Sequence, residues 1–139
     1  MTYDEFLEAQ KKQPQRKKQG SEEHDIQCRC VKWFRMQYPE LAYNLCAIPN
    51  GGRRSQFEGA WMKAEGMTKG AADLILFVPN INSHALCIEM KTRAGKQRET
   101  QKEWQKAVER FGYQYVVCRS FEAFCAIVKT YLKESRYGK

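Results

Sequence analysis

Apolar residues recur along the chain at two different spacings, and the change of spacing marks the predicted elements. Apolar positions three or four residues apart predict helices over 2–10, 21–37, 55–65, 100–111 and 120–132. Short apolar runs bounded by turn residues predict strands over 43–48, 72–78, 85–91 and 115–118. The inward face of the fourth helix is predicted to include Trp104 and Phe111.

The order of these elements predicts a small mixed sheet. The turn at 79–84 makes strands 72–78 and 85–91 an antiparallel hairpin. The helix between strands 85–91 and 115–118 is long enough to make them parallel through a right-handed crossover. We therefore predict an α/β fold class, with a central sheet flanked by helices in the order α-β-(α)-β-β-α-β.

The chain divides into one predicted domain with short extensions. Residues 1–20 are predicted to be a short helix followed by a linker, 21–133 the domain, and 134–139 a polar tail. Residues 11–20 carry five basic side chains and no acid, which cannot form a core. This basic segment is either a solvated spacer or an arm that contacts phosphates, and the sequence leaves both possibilities open.

The overall charge favours a polyanionic partner. The 139 residues include 24 Lys and Arg against 16 Asp and Glu, a formal net charge of +8. A basic surface gains affinity for phosphates by releasing counterions. No apolar run is long enough to span a bilayer, and the first residues lack the apolar region of a signal peptide. We therefore expect a soluble, intracellular protein that does not bind membranes.

The six cysteines could form disulfides, bind a metal ion or pack as buried apolar residues. Cys87 and Cys118 lie within predicted strands, whereas Cys30 and Cys125 lie on the apolar stripes of predicted helices. Free cysteine packs in such positions as a small apolar residue. The spacing between His24 and the next cysteine is too weak a pattern for zinc. We predict that the cysteines are structural and unpaired.

Charged residues interrupt the apolar strands at two places. Glu89 and Lys91 alternate with apolar neighbours and therefore share one face of their strand. Asp73 begins an otherwise apolar strand, and burying an isolated carboxylate is costly unless it is paired or binds a cation. Each feature alone has an ordinary explanation, either an ion pair at a strand end or an acid exposed to solvent.

The register of the hairpin decides whether these charges meet. A symmetric turn over 79–84 pairs Val78 with Ala85. The same register pairs Asp73 with Met90, which leaves Asp73 on the opposite face from Glu89. A one-residue shift or a bulge is needed to bring the two carboxylates together. The sequence does not determine this register.

Two further polar residues lie on faces predicted to point inward. Glu23 shares a helical stripe with apolar residues near the start of its helix, and Gln101 precedes Trp104 by three residues. Three acids and a lysine at one sheet edge suit Mg²⁺ or Mn²⁺, which prefer oxygen ligands. A lysine beside such an ion lowers the cost of charge that develops on phosphorus.

The chain resembles the virus-type replication-repair nuclease (VRR-NUC) domain of the PD-(D/E)XK nuclease superfamily. The resemblance covers about residues 21–120 and rests on several segments in the same order. Ala72 stands where the superfamily has a proline before the aspartate. The segments are Glu23-His24-Asp25-Ile26-Gln27, Ile48-Pro49-Asn50-Gly51-Gly52, Gly70-Ala71-Ala72-Asp73, Ile88-Glu89-Met90-Lys91, and Gln101 with Trp104.

The resemblance implies a restriction-endonuclease-like core and metal-dependent hydrolysis of phosphodiester bonds, with Mg²⁺ or Mn²⁺ and no organic cofactor. It implies that Asp73, Glu89 and the Met90 backbone carbonyl bind the metal. Glu23 would complete the site directly or through water, Lys91 would orient and activate the attacking water, and Gln101 would support the site. Candidate DNA contacts flank the inferred cleft at Asn50, Arg53, Arg54, Lys69 and Lys96.

Stand-alone chains of this kind resemble viral members thought to form homodimers. The resemblance therefore implies a structure-selective endonuclease acting on branched DNA, such as four-way (Holliday) junctions or flaps, in replication, recombination or repair. For a viral protein the compartment would be the cytoplasm of a bacterial host. Phe57, Trp61 and Met62 are candidates for the dimer interface, although core packing is the simpler expectation for them. A basic DNA-binding module without catalysis, and a nuclease directed at RNA, are the alternatives.

Overall fold

The computed structural model describes residues 2–11, 21–49 and 56–136. Five helices and four strands follow the predicted order, and a short 3-10 helix, Pro39–Asn44, precedes the first strand. The elements are α1 (Tyr3–Lys11), α2 (Ser21–Gln37), β1 (Leu45–Ala47), α3 (Gln56–Ala64), β2 (Leu74–Leu76), β3 (Leu86–Met90), α4 (Glu99–Glu109), β4 (Gln114–Cys118) and α5 (Phe121–Lys133).

The four strands form one mixed sheet in the order β1-β2-β3-β4. β2 pairs antiparallel with both β1 and β3, whereas β3 and β4 are parallel and are joined through α4. The predicted α/β class, the antiparallel hairpin and the parallel pair are therefore confirmed. β1, β2 and β3 are shorter than predicted, since β1 begins only after the 3-10 helix and β2 contains three residues, whereas β4 begins one residue earlier than predicted.

The hairpin between β2 and β3 contains the one-residue shift that the site requires. Leu74 lies opposite Ile88, so continuing the same register places Asp73 opposite Glu89. The turn itself is closed between Asn80 and Ser83. Three residues separate β2 from this turn but only two separate the turn from β3, so the β2 side has one extra residue, as in a bulge.

The main core lies between the sheet and helices α2 and α5. Its buried side chains include Phe34, Phe124 and Leu132. A smaller apolar cluster on the opposite face of the sheet contains Cys87 and Tyr115 and packs against α4. All six cysteines are free, as predicted, and Cys30, Cys87 and Cys118 are buried. Among the described helices, none has the length and apolar character needed to cross a membrane.

The predicted first helix is present and packs against the rest of the chain. Thr2 and Glu5 exchange the two hydrogen bonds of a capping box at its start. Phe6 is buried, and Tyr3 stacks on Phe121 of α5 with ring centroids 5.6 Å apart. Helix α1 therefore covers part of the main core, while most of the predicted basic linker, 12–20, lies outside the described residues.

Two aromatic side chains are more exposed than expected. The inward position predicted for Phe111 is wrong, because α4 ends at Glu109 and the Phe111 side chain is 62% exposed. Its ring instead contacts the Arg110 guanidinium, 4.5 Å from the ring centroid. Trp61 on α3 is also 62% exposed, so core packing was the wrong expectation for this residue.

Two glycines of the same region provide a matched test of the fold. Gly70 has a φ of +90°, and a Cβ there would lie 2.2 Å from the Thr100 carbonyl oxygen. We expect Gly70→Ala to lower the free energy of unfolding by more than about 3 kcal/mol, because the backbone must move. Gly59→Ala, in open space on α3, should raise it by about 0.5–1 kcal/mol. Urea unfolding measures both values, and equal values would contradict the close approach at Gly70.

Candidate active site

The charged residues singled out by the sequence line one open cavity of about 730 Å³. The cavity lies between α2, the end of α3, the segment 67–71 and the start of α4, beside the ends of β2 and β3. Glu23, Asp73, Glu89, Lys91 and Gln101 all contribute to its lining. The structure therefore brings these five predicted residues together.

Asp73, just before β2, and Glu89, on β3, both face the cavity. The Asp73 carboxylate accepts a hydrogen bond of 2.7 Å from the backbone N–H of Met90, so it is fixed against the end of β3. Glu89 is 2% exposed. The shifted register thus places two carboxylates side by side at the sheet edge, which a symmetric turn would have prevented.

Glu89 has one paired oxygen and one unpaired oxygen. Its Oε1 accepts a 2.9 Å hydrogen bond from the Gln101 side-chain amide and lies 4.0 Å from the Lys91 ammonium nitrogen. Its Oε2 is buried and has no hydrogen bond of standard geometry among the described residues, and the Asp73 carboxylate and the Tyr115 hydroxyl lie close to this carboxyl group. Burial raises the pKa of Glu89 to about 8, and the negative charges of Asp73 and Glu23 add to this increase while Lys91 opposes it.

Gln101 links this carboxylate to the start of α4. Its side-chain oxygen accepts a 2.8 Å hydrogen bond from the backbone N–H of Arg98, the residue that precedes α4. Its side-chain nitrogen donates to Glu89. Gln101 is buried, and both ends of its amide are paired. The helix end therefore holds the Glu89 side chain in one orientation, as the predicted supporting role requires.

The arrangement of oxygen atoms fits a divalent cation. An unpaired buried oxygen beside a second carboxylate is costly unless a cation or a proton lies between them. Among the described residues, no three His, Cys, Asp or Glu side chains are close enough to hold one ion together. A cation here would therefore take two protein carboxylates and several waters, which is a common pattern for Mg²⁺. Glu23 lines the cavity from α2, outside this pair.

Basic side chains make the cavity favourable for phosphates. Six line it against three carboxylates. The sequence identified Lys69 and Lys91 but missed four others, whose charges are ordinary on exposed helix faces. Two of these four, Lys32 and Arg35, could have been found from the sequence. They follow Cys28 at helical spacing, on a face next to the stripe that contains Glu23. The complete set is Lys32, Arg35, Lys63, Lys69, Lys91 and Arg98.

The other predicted DNA contacts are not part of this described cavity. Lys96 is exposed on the loop between β3 and α4 and does not line the cavity. Asn50, Arg53 and Arg54 lie outside the described residues, so their role stays a prediction. Lys69 is the one residue of that group that the described structure places at the cavity wall.

Comparison with known proteins agrees with this fold. A family model of the VRR-NUC domain matches residues 8–122. A solved structure of a VRR_NUC domain protein superposes with a TM-score of 0.71 and 24% sequence identity, covering 81% of this chain and 89% of that chain. No curated protein sequence matches. Because the family match spans most of its length, the chain belongs to the VRR-NUC family and is a nuclease-type DNA-processing domain.

Proposed function

We propose that the protein is a divalent-metal-dependent endonuclease that hydrolyses phosphodiester bonds in DNA. The observation that carries this proposal is the buried Glu89 carboxylate, which lies beside Asp73 and near Lys91 in a cavity rich in basic side chains and has one oxygen without a hydrogen bond among the described residues. A carboxylate in this environment gains most from a neighbouring cation, and the surrounding positive charge attracts a phosphate.

Each residue of the cavity has a proposed role. Asp73 and Glu89, with the Met90 backbone carbonyl, would hold Mg²⁺ or Mn²⁺, and Glu23 would bind through water. When bound, the ion lowers the pKa of water and stabilises negative charge on the phosphoryl oxygens. Lys91 orients the attacking water and stabilises the charge that develops on phosphorus. Gln101 keeps the Glu89 oxygen aimed at the cavity.

The presence of carboxylates in the cavity distinguishes a nuclease from a module that only binds DNA. A module that only binds DNA gains nothing from acids inside its basic cavity, because they repel phosphates unless a cation lies between. The burial of Glu89 disfavours its charged form, and a neighbouring divalent cation would restore that charge. The acid pair therefore favours the nuclease over the non-catalytic module.

Branched DNA and a homodimer complete the proposal. A two-fold symmetric dimer presents two cutting sites, which suits a four-way junction in replication, recombination or repair. The exposed Trp61 on α3 supports such an interface, because large aromatic side chains are enriched at protein contacts. Analytical ultracentrifugation of the wild type and of Trp61→Ala tests this part of the proposal, which requires a dimer that the variant weakens.

Cleavage assays test the activity directly. We expect a supercoiled plasmid to be nicked with Mg²⁺ or Mn²⁺ and to stay intact with a chelator. A labelled panel of single strand, duplex, flap, splayed arm and four-way junction, with RNA copies, identifies the preferred substrate. Retarded DNA without metal-dependent nicking would favour the binding module and contradict the proposal.

A further inference from the structure

A second, apolar groove of about 450 Å³ adjoins the catalytic cavity. It lies beside β2 between α3 and α4, with Met62, Ile75 and Trp104 in its lining. These three side chains are only partly buried, and Trp104 packs at 6.2 Å from Tyr115, between ring centroids. The groove therefore has an accessible apolar surface that includes the Trp104 ring, which packs against Tyr115.

The two compartments share a wall. Met67, Thr68 and Ala71 line both the groove and the cavity. No lysine or arginine is among the described residues of the groove, and its one charged lining residue is Glu65. A phosphate is therefore disfavoured in the groove and favoured in the adjoining cavity. A charged compartment joined to an apolar one matches the two halves of a nucleotide, its phosphate and its base.

We propose that the groove binds one unstacked nucleobase next to the phosphate held in the catalytic cavity. Stacking of a base on an aromatic side chain is favourable and tolerates different bases. A continuous duplex keeps its bases stacked and paired, so a base enters the groove most readily from a single strand, a flap or a branch point. The placement of the phosphate rests on the proposed function. If a base occupies the groove, the strand is unpaired at the position of the cut.

Binding measured without metal tests the groove separately from catalysis. The probes are a 20-nucleotide oligothymidylate and a 20-nucleotide abasic strand with the same phosphates, both in chelator and at low salt. We expect the wild type to bind oligothymidylate about tenfold more tightly, because one base stacks in the groove. Met62→Ala and Trp104→Ala should bring this ratio close to one.

Matched variants separate the groove from neighbouring effects. Phe111→Ala removes an exposed aromatic side chain that lines neither the groove nor the catalytic cavity, so it should keep the tenfold ratio. Trp104→Phe should restore most of the preference lost in Trp104→Ala. Circular dichroism and thermal unfolding establish that each variant is folded, and Met62→Ala provides the result if Trp104→Ala does not fold.

Each outcome has a distinct meaning. Equal binding of both strands by the wild type, or an unchanged ratio in Met62→Ala, would overturn the groove assignment. An unchanged ratio together with a changed oligomeric state in Met62→Ala would identify the groove as a contact between copies. If the protein binds bases as expected but cuts no DNA with Mg²⁺ or Mn²⁺, the proposed nuclease activity fails and the base-binding groove stands.

Discussion

Replacing Lys91 with alanine is expected to reduce metal-dependent DNA cleavage about a thousandfold. The Lys91 side chain is 9% exposed, and its ammonium nitrogen lies 4.0 Å from Glu89 Oε1. A positive charge in such a sheltered cavity stabilises developing phosphoryl charge far more than an exposed one does, because water screens it less. Alanine removes both this charge and the group proposed to orient the attacking water.

Single-turnover cleavage of a labelled flap measures the rate, and a gel-shift assay in chelator measures DNA affinity. We expect the affinity to change less than about tenfold, because five other basic side chains still line the cavity. Lys96→Ala is the matched control, since it removes an exposed lysine outside the described cavity and should cut at the wild-type rate. Full-rate cleavage by Lys91→Ala would remove Lys91 from the mechanism.

The alternation of apolar and polar residues was sufficient to predict which side chains share a face. Glu89 and Lys91 alternate with apolar neighbours in the sequence, and both are buried at the cavity in the structure. Glu23 and Gln101 were likewise predicted from helical spacing, and both line the cavity. Local periodicity predicts orientation well because each element has one buried face.

The register of the hairpin is not contained in any local pattern. The backbone N–H of Phe77 donates to the Asn44 carbonyl, and the Asn44 side chain donates back to Phe77, which continues the β1–β2 pairing one step beyond Leu45 and Leu76. The extra residue on the β2 side lies between this pair and the turn that begins at Asn80. Sequence reasoning could state that a shift was required but not that it occurs.

Charges contributed by separate helices were the least predictable part of the site. Lys63 lies at the end of α3 and Arg98 just before α4, and neither interrupts an apolar pattern. Exposed basic residues are common on helices, so only the tertiary arrangement shows that these two line the same cavity. The apolar groove was missed for the opposite reason, because Met62 and Ile75 have the pattern of ordinary core residues.

Replacing Glu89 with glutamine is expected to stabilise the metal-free protein at alkaline pH. The pKa of Glu89 rises from its ordinary value of 4.5 to about 8 in the folded protein, mainly because burial disfavours the charged form. The folded state therefore binds the proton more tightly than the unfolded state does. The free energy of unfolding should fall as pH rises from about 4.5 to about 8, and level off above that range.

An amide at position 89 cannot ionise and still accepts the hydrogen bond from Gln101. We expect Glu89→Gln to exceed the wild type by roughly 3–5 kcal/mol in unfolding free energy at pH 8.5, and to match it at pH 4. Urea unfolding in chelator measures this difference. Glu99→Gln is the matched control: the Glu99 side chain is 84% exposed, so this variant should change stability by less than about 0.5 kcal/mol at either pH.

Added Mg²⁺ should stabilise the wild type at pH 8.5 but not Glu89→Gln, because the ion compensates a charge that the variant lacks. Equal unfolding free energies for the variant and the wild type at pH 8.5, together with a wild type unaffected by Mg²⁺, would show that Glu89 carries no destabilising charge and does not bind the ion.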